Sequence, residues 1–541
     1  MRIWNQVYNP VDNIWVSAII AGAPLIFFIV ALTLFKLKGY TAGILSTIVA
    51  AFIALFFYDM PLQKVIGSGF YGLLTGLWPV ASIVVAAIFL YKLTVKTGKF
   101  EIMKNSITSV TQDQRLQVLL VSFCFGAFLE GAAGFGAPVA ITAVILIGLG
   151  FKPIYAAGLC LIANIAGGAY GAMGIPVTTP SSLTDISALE IASRTSYIIP
   201  FVSFVVAFVL VFIIDGFKGI KQTWPAILVC GGTFAIVQFA VLNTIGPVLV
   251  DIISALLSLV ALTLFLRVWK PKEIYRINQE QTHSAIDKNR SISFGQTAYA
   301  WLPFLLLTVL VIIFSLKPFK ALFSVGGALQ NLVFRFPIRG VHEMIYRHPP
   351  IVKAATPYGA VFHFDLFSST TTAIILAALI TIIIYRIPGK AVKEAAAEAV
   401  NELLMPIITI CSVLAFAYIC NYSGMSSTLG LAFASTAGLF PLFSPILGWI
   451  GVFLTGSVVN CGSLFAPLQA VTASQIGISP GAMVAANVIG GDMAKMISPQ
   501  SVAVASAAVG LGENENQLFR YTIRISLVFL ALTCIVNWLL Y

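Results

Sequence analysis

One acidic residue lies in the middle of a long apolar run, inside a short stretch rich in glycine. The stretch 128–138 reads FLEGAAGFGAP and contains Glu130, Gly131, Gly134 and Gly136. Burying an acid at bilayer depth costs roughly 2.5–3.5 kcal/mol, and glycine and proline weaken helices. Irregular backbone at that depth persists only where protein or a water-filled cavity covers it. The pattern therefore predicts a re-entrant hairpin whose tip lies near the middle of the membrane and forms half of a solute site.

Glu130 is the candidate proton carrier. The four histidines fall in loops or at a loop edge. A carboxyl group whose charged form is disfavoured by burial is therefore the available titratable group. The alternative is a structural salt bridge, with Lys495 as its partner.

Two further charges, Asp492 and Lys495, lie in an apolar segment near the end of the chain. Lys495 suits a small carboxylate as its counter-ion, because charges inside membrane segments are functional by default. The alternative is an ion pair with Asp492, since residues three apart share one face of a helix.

The predicted substrate-binding set adds amide and hydroxyl side chains, which can hydrogen-bond a carboxylate or a hydroxyl group. The full set is Gly131, Gly134, Gly136, Asn164, Ser457, Asn460, Asn487, Asp492 and Lys495. The alternative roles are helix capping for the polar residues and tight helix packing for the glycines.

Composition places these residues in a membrane protein. The 541-residue chain is 59% hydrophobic and only 9% charged, whereas soluble proteins carry about 25% charged residues. The apolar runs are uniform and have roughly the 20 residues of a spanning helix, so we predict an all-α polytopic fold and exclude a β-barrel. The net charge of +11 fits basic cytoplasmic loops and not nucleic-acid binding.

Cysteine and histidine spacing predicts no metal site and no cofactor. The seven cysteines lie in apolar segments without a CxxC pair, and the chain has no HExxH motif. We expect the cysteines to be reduced residues of the core.

Basic residues set the expected topology. Lys36 and Lys38 follow the first span, which places that end in the cytoplasm and the N-terminus outside. We divide the chain into an N-terminal span (1–39), a first repeat (40–215) with a hairpin (118–150), connecting spans (216–366) with a charged cytoplasmic loop (267–296) and a long external loop (317–365), and a second repeat (367–541) with a hairpin (447–472).

The two repeats are inferred from similar segments at a near-constant offset. LIANIAGGAYGAMGIP, which ends at Pro176, aligns with VAANVIGGDMAKMISP, which ends at Pro499, at an offset of 323 residues. The hairpin segments align at an offset of 325 before the tip, and the second tip has four more residues. Chance similarity of glycine-rich segments is the alternative. Because equivalent spans run in opposite directions by the charge rule, we predict inverted repeats, each with a re-entrant hairpin and a broken helix.

Four segments resemble the lactate permease family, which includes glycolate permeases. They are FGAFLEGAAGFGAPVAI (125–141), GFKPIYAAGLCLIAN (150–164), FDLFSSTTTAI (364–374) and KMISPQSVAVA (495–505). The resemblance spans nearly the whole chain and implies proton-coupled uptake of lactate and related 2-hydroxy monocarboxylates across the plasma membrane of a prokaryote. More distantly, the chain is similar to ion transporters with paired hairpins that work by an elevator motion. It departs from the family's usual sequence at 165–174, at 455–462 and at Asp492, all within the predicted site.

The expected function is thus a proton-coupled symporter and not an enzyme, with a small monocarboxylate and protons as its partners in a lipid bilayer. The alternatives are a sodium-coupled or exchange carrier for another organic or inorganic anion, an intramembrane hydrolase and a channel. The sequence leaves open whether the chain forms a homo-oligomer.

Overall fold

Long apolar helices form most of the chain. The structure, a computed structural model, describes residues 3–134, 136–277, 293–511 and 515–541. Within these ranges nine helical segments are long and apolar enough to cross a membrane, or ten if one bent pair counts as a span. The protein is therefore a multi-pass membrane protein, as predicted. Half of the predicted charged loop 267–296, residues 278–292, lies outside the described ranges, as does Phe135 in the first hairpin.

The helices are numbered in chain order. The first fourteen are α1 (Ile14–Thr33), α2 (Gly39–Phe56), α3 (Leu62–Thr75), α4 (Ser82–Lys96), α5 (Lys99–Thr108), α6 (Gln114–Val118), α7 (Gly126–Ala132), α8 (Ala137–Gly148), α9 (Pro153–Ala163), α10 (Ile165–Gly168), α11 (Gly171–Leu183), α12 (Ala188–Thr195), α13 (Ile199–Thr244) and α14 (Val250–Val268). The remainder are α15 (Phe294–Ser315), α16 (Lys317–Phe323), α17 (Thr370–Tyr385), α18 (Gly389–Ser423), α19 (Met425–Ala434), α20 (Phe440–Thr455), α21 (Val458–Ile476), α22 (Pro480–Lys495), α23 (Pro499–Ala508) and α24 (Glu515–Leu540).

Three of these segments are continuous but irregular. π-helical turns at Gly76–Ala81 and Leu119–Phe125 join α3 to α4 and α6 to α7. Pro79 lies in the first of these turns, where its missing N–H interrupts the regular helical bonds. Helix α13 turns sharply at Asp215 and Gly216, where φ of Gly216 is 58°, so its 46 residues form two helical arms.

The segment between α16 and α17 does not form the plain external loop that the sequence suggested. It contains a 3₁₀ turn (Gln330–Leu332) and four strands, which pair with one another and with a strand at the N-terminus. The strands are β1 (Trp4–Asn5), β2 (Phe334–Pro337), β3 (Ile345–Arg347), β4 (Thr356–Pro357) and β5 (Val361–Phe364). We call β1–β5 the cap.

The cap contains two small sheets. β3 pairs parallel with β1, with Ile345 opposite Trp4, and antiparallel with β4. β2 and β5 form an antiparallel pair, with Phe334 opposite Phe364. The prediction of an all-α fold is therefore wrong in this part of the chain, which is otherwise mostly helical. Strands of two to four residues are too short to show the alternation that identifies a strand in a sequence.

Two helix pairs with glycine at their joints correspond to the predicted hairpins. Helices α7 and α8 are joined through Gly134 and Gly136, which adopt φ values of 58° and 87°. Helices α20 and α21 are joined through Gly456, with φ of 71°, and Ser457. A positive φ costs glycine little and other residues more. The second joint is short, because α20 ends at Thr455 and α21 already begins at Val458.

An interrupted helix follows each of these pairs. After the first, the chain bends by 49° between Pro153–Gly168 and Gly171–Leu183. After the second, α22 ends at Lys495 and α23 begins at Pro499. Helix α23 packs against α8, and α11 packs against α21. Each interrupted helix therefore contacts the helix pair of the other half, which brings both breaks to one place.

The first break is strained. Ala172 and Met173 adopt φ values of 47° and 63°, a left-handed conformation that costs a residue with a side chain roughly 1–2 kcal/mol. A Cβ atom added at Gly134 would lie 3.0 Å from the Cβ of Ala172. The tip of the first helix pair thus packs directly on this break.

Arg115 anchors the start of the first helix pair. It is fully buried, and its Nη1 donates to Oδ2 of Asp215 at 2.7 Å and to Oε1 of Gln222 at 2.6 Å. Its Nη2 donates to Oδ2 of Asp113 at 2.7 Å and to the carbonyl oxygen of Glu273 at 2.9 Å. The network ties α6 to the turn in α13 and to the segment after α14.

Candidate functional site

A cavity of about 1020 Å³ lies between the two interrupted helices. Its lining runs from Lys36 and Lys38, which are exposed beyond the end of α1, to Glu130 and Lys495, which are largely buried. Gly134, Gly136, Ser457 and Asn460 also belong to the lining. Six of the predicted site residues therefore share one cavity.

Glu130 and Lys495 form an ion pair at the inner end of this cavity. Nζ of Lys495 donates to Oε1 of Glu130, and the two side chains are 13% and 1% exposed. Oε2 of Glu130 has no hydrogen-bond partner among the described residues. Of the two ion pairs that the sequence allowed for Lys495, the structure contains the one with Glu130. The pair places one cation and one carboxylate where a solute in the cavity can reach them.

Three helices begin at the cavity. Its lining includes Gly136 before α8, Ser457–Asn460 at the start of α21, and Pro499–Ser501 at the start of α23. Ser457 and Ser498 cap the latter two helices by accepting a bond from the N–H three residues later. The first turn of a helix carries N–H groups without helical partners and a partial positive charge. The cavity wall is therefore favourable for an anion.

Four predicted site residues, Gly131, Asn164, Asn487 and Asp492, lie behind the wall and not on it. Asn164 is the residue after the end of α9. Oδ1 of Asn487 accepts a bond from Sγ of Cys461 at 3.5 Å. These residues surround the site, and in this conformation they do not contact the cavity.

Three buried carboxylates lie against three glycines of the first interrupted helix. A Cβ added at Gly171 would collide with Oε1 of Glu130, and one added at Gly168 would collide with Oδ1 of Asp492. One added at Gly167 would lie 3.2 Å from Oδ2 of Asp251. Each glycine thus leaves the space that one carboxylate occupies.

Asp251 was missed by the sequence analysis. It lies in the first turn of α14 and is 1% exposed. An acid five residues after Gly246, inside a predicted span, was the signal that could have identified it. Its position near the start of a helix is instead typical of an interfacial residue, and the packing of α14 against Gly131 of α7 and Gly167 of α10 buries it.

Packed tyrosine side chains lie between α11, which lines the cavity, and the cap. The rings of Tyr358 and Tyr422 stack at 4.3 Å, and those of Tyr71 and Tyr418 meet edge-on at 4.8 Å. The hydroxyl of Tyr418 donates to the carbonyl oxygen of Ser182, near the end of α11, at 3.4 Å. The cap is near the first residue of α1 and the cavity mouth near its last, about 30 Å apart for a 20-residue helix. The mouth of the cavity therefore lies at the end of α1 that is far from the cap.

The sequence is similar to known permeases over nearly its whole length. The family model described as L-lactate permease matches residues 17–541. The chain is 51% identical to an L-lactate permease of Salmonella typhi, over 99% of this chain and 97% of that relative. It is 50% identical to the glycolate permease GlcA of Escherichia coli (strain K12), over 100% of this chain and 98% of that relative.

Among solved structures, the Alcanivorax borkumensis YdaH transporter superimposes with a TM-score of 0.45 at 15% identity, over 86% of each chain. The match over nearly the whole chain to the family model and the curated relatives confirms the resemblance found in the sequence. The chain therefore belongs to the L-lactate permease family, and it is a multi-pass membrane transporter rather than an enzyme.

Proposed function

We propose that the protein is a secondary active transporter that takes up lactate, or a related 2-hydroxy monocarboxylate such as glycolate, together with protons. The main observation in support of this proposal is the Glu130–Lys495 ion pair at the inner end of the cavity. Lys495 can hold the carboxylate of a substrate, and Glu130 can hold a proton. The names of the relatives, L-lactate permease and glycolate permease, support this substrate class.

Competition for Lys495 couples the two solutes in this proposal. While Glu130 is ionised, it occupies Lys495, which is then not available to a substrate. When Glu130 takes a proton, an O–H bond forms on the carboxyl group and its attraction to Lys495 is lost. The substrate carboxylate then replaces Glu130 as the partner of Lys495, in a charge-assisted hydrogen bond. Substrate and proton therefore bind together.

The wall of the cavity supplies the remaining contacts. We assign the N–H groups at the starts of α21 and α23 to the substrate carboxylate, because helix N-termini favour anions. Ser457 and Asn460 line the cavity and are our candidates for the 2-hydroxyl group. Asn164 and Asn487, which lie behind the wall, are assigned a supporting role in this conformation.

We also propose that the two halves are inverted repeats and that the cavity opens to the cytoplasm. Lys36 and Lys38 at its mouth are typical of a cytoplasmic loop, which places the N-terminus outside. The tyrosines near the cap then close the external side. An elevator-type movement of the two helix pairs and the interrupted helices would carry the site across the membrane.

Uptake into proteoliposomes tests this proposal. An outwardly directed OH⁻ gradient (inside alkaline) without sodium should drive accumulation of labelled lactate by the wild type. Glu130→Gln should lower this accumulation at least 10-fold while it retains exchange of internal for external lactate, because the glutamine is neutral and cannot titrate. Accumulation that requires a sodium gradient would instead identify a sodium-coupled carrier.

A further inference from the structure

Asp251 lies beside Glu130 without touching the cavity. A Cβ added at Gly131, the residue after Glu130, would lie 2.7 Å from Cβ of Asp251 and 3.2 Å from the backbone nitrogen of Ile252. The backbones of α7 and α14 are therefore in close contact at this point. Asp251 is not part of the cavity lining, so any proton that reaches it from the cavity has to pass through another group.

Neither carboxylate oxygen of Asp251 has a hydrogen-bond partner in the part of the chain that the structure describes. The side chain is 1% exposed. A carboxylate without a partner in such a site is far more costly than a protonated carboxyl group. Asp251 is therefore expected to carry a proton in this conformation.

The groups that face Asp251 reinforce this state. The charged groups close enough to act on it are Glu130 and Asp492, which are like charges, and Lys495, whose effect is the weakest of the three. The hydroxyl of Tyr170 also lies nearby, but it donates to Oγ1 of Thr195 at 2.7 Å. Among the described charged groups near Asp251, carboxylates therefore outnumber cations.

Among the described residues, the other elements packed on α14 add no further charge that acts on Asp251. The titratable residues of α13 and of the π-helical turn 119–125 that face α14 are Cys230 and Cys124. Both contact Ser258, two turns further along the helix, at 3.3 Å for Sγ of Cys124 and 2.7 Å for the carbonyl oxygen of Cys230.

Asp492 differs from Asp251, although its oxygens too have no partner among the described residues. It precedes Lys495 by three residues on α22. A Cβ added at Gly168 would meet both Oδ1 of Asp492 and, at 3.1 Å, Cδ of Lys495. The positive charge of Lys495 therefore offsets the negative charge of Asp492. The main charged neighbour of Asp251 is instead the carboxylate of Glu130.

We propose that Asp251 is an internal proton donor to Glu130. The O–H bond on Asp251 breaks and an O–H bond forms on Oε2 of Glu130, the oxygen that has no partner in the described structure. Glu130 then releases Lys495, and the substrate carboxylate replaces it. The negative charge moves to Asp251, in the first turn of a 19-residue helix whose N-terminus favours an anion. A proton from the cavity then enters through Glu130 and replaces the proton that Asp251 released. This inference rests on the proposed proton coupling.

The test is the pH profile of Asp251→Asn, whose side chain has the shape of the protonated acid but cannot donate this proton. We would measure the initial rate of lactate uptake in proteoliposomes from pH 6 to 8.5, with the same pH on both sides. The wild-type rate should change no more than about 3-fold over this range. Above neutral pH, Asp251→Asn should lose about 10-fold per pH unit, because Glu130 then depends on protons from solution.

The control is Asp59→Asn, which removes a carboxylate at an exposed position where φ is 49°. Asparagine tolerates this left-handed conformation, so the variant should match the wild type at every pH. A profile of Asp251→Asn parallel to that of the wild type overturns the inference, whether the rate is unchanged or uniformly reduced. A wild type that shows no accumulation under a pH gradient overturns the proposed function and the inference together.

A measurement on the wild type covers the case in which Asp251→Asn does not fold. Infrared spectra of the purified protein near neutral pH should contain the C=O stretch of a protonated carboxyl group, and added lactate should shift it as the proton moves from Asp251 to Glu130. A spectrum without that band before lactate is added overturns the inference.

Discussion

Replacing Lys495 by methionine tests the ion pair on which the proposed site depends. The variant keeps an unbranched stem but removes the ammonium group that donates to Glu130. Removing one partner of a buried pair costs about 3–5 kcal/mol, because the other charge is left uncompensated. This range applies to the pair because the two side chains are only 13% and 1% exposed.

Thermal unfolding in detergent at one heating rate measures this loss through tryptophan fluorescence. At about 2 °C per kcal/mol for a large domain, Lys495→Met should unfold roughly 6–10 °C below the wild type. Combining it with Glu130→Gln should recover most of the difference, because no uncompensated charge remains on that residue. The double variant therefore separates the charge effect from lost packing.

Lys96→Met is the matched control. Lys96 pairs with Glu398 at 2.6 Å, but the two side chains are 29% and 44% exposed. Exposed ion pairs contribute little to stability, so this substitution should leave the unfolding temperature nearly unchanged. A fall as large as that of Lys495→Met, or a double variant no more stable than the single one, would refute the reasoning.

Three further predictions concern other parts of the molecule. Gly168→Ala should slow lactate transport at least 10-fold, because the added methyl group collides with the buried carboxylate of Asp492. Gly148→Ala is the control and should transport normally, because an added Cβ there meets nothing within 4 Å. Equal rates for the two variants would contradict the close packing of Asp492 on Gly168. Arg115→Met should lower stability by about 3–5 kcal/mol, seen as a lower unfolding temperature, since it leaves the buried carboxylate of Asp113 without its partner; an unchanged temperature would count against that network. Lys36→Gln combined with Lys38→Gln should slow lactate efflux several-fold at low salt and not at high salt, whereas a salt-independent effect would exclude electrostatic steering.

Glycine and proline made the helix breaks predictable. The joint at Gly134 and Gly136 and the breaks before Pro176 and Pro499 are all marked by residues that interrupt helices. These signals are local, so the sequence alone locates them. The sequence also marked Glu130 and Lys495, because charges are rare in apolar segments.

Long-range packing was not predictable in the same way. Whether Lys495 pairs with Glu130 or with Asp492 depends on where α7 and α22 lie relative to each other. The burial of Asp251 depends on the close approach of α14 to Gly131. No periodicity within a single segment contains that information.

The contacts of the cap were likewise not predictable from a local sequence pattern. Lys64 is 3% exposed, and its Nζ donates to the carbonyl oxygens of Gly340 and Met344 at 3.1 and 3.0 Å. In the sequence it resembles an ordinary surface lysine of an amphipathic helix. Its role emerges only because a segment some 280 residues later folds over it.

The parallel pairing of β1 with β3 has a consequence for biosynthesis. Trp4 meets Ile345, and Gln6 donates to the carbonyl oxygens of Asn421 and Tyr422. At a translation rate of about 5–20 residues per second, β1 is synthesised roughly 17–70 s before β3. More than half of the helices are synthesised before β1 can pair with β3. Extensions fused before Trp4 should therefore disturb the last steps of folding and not the first.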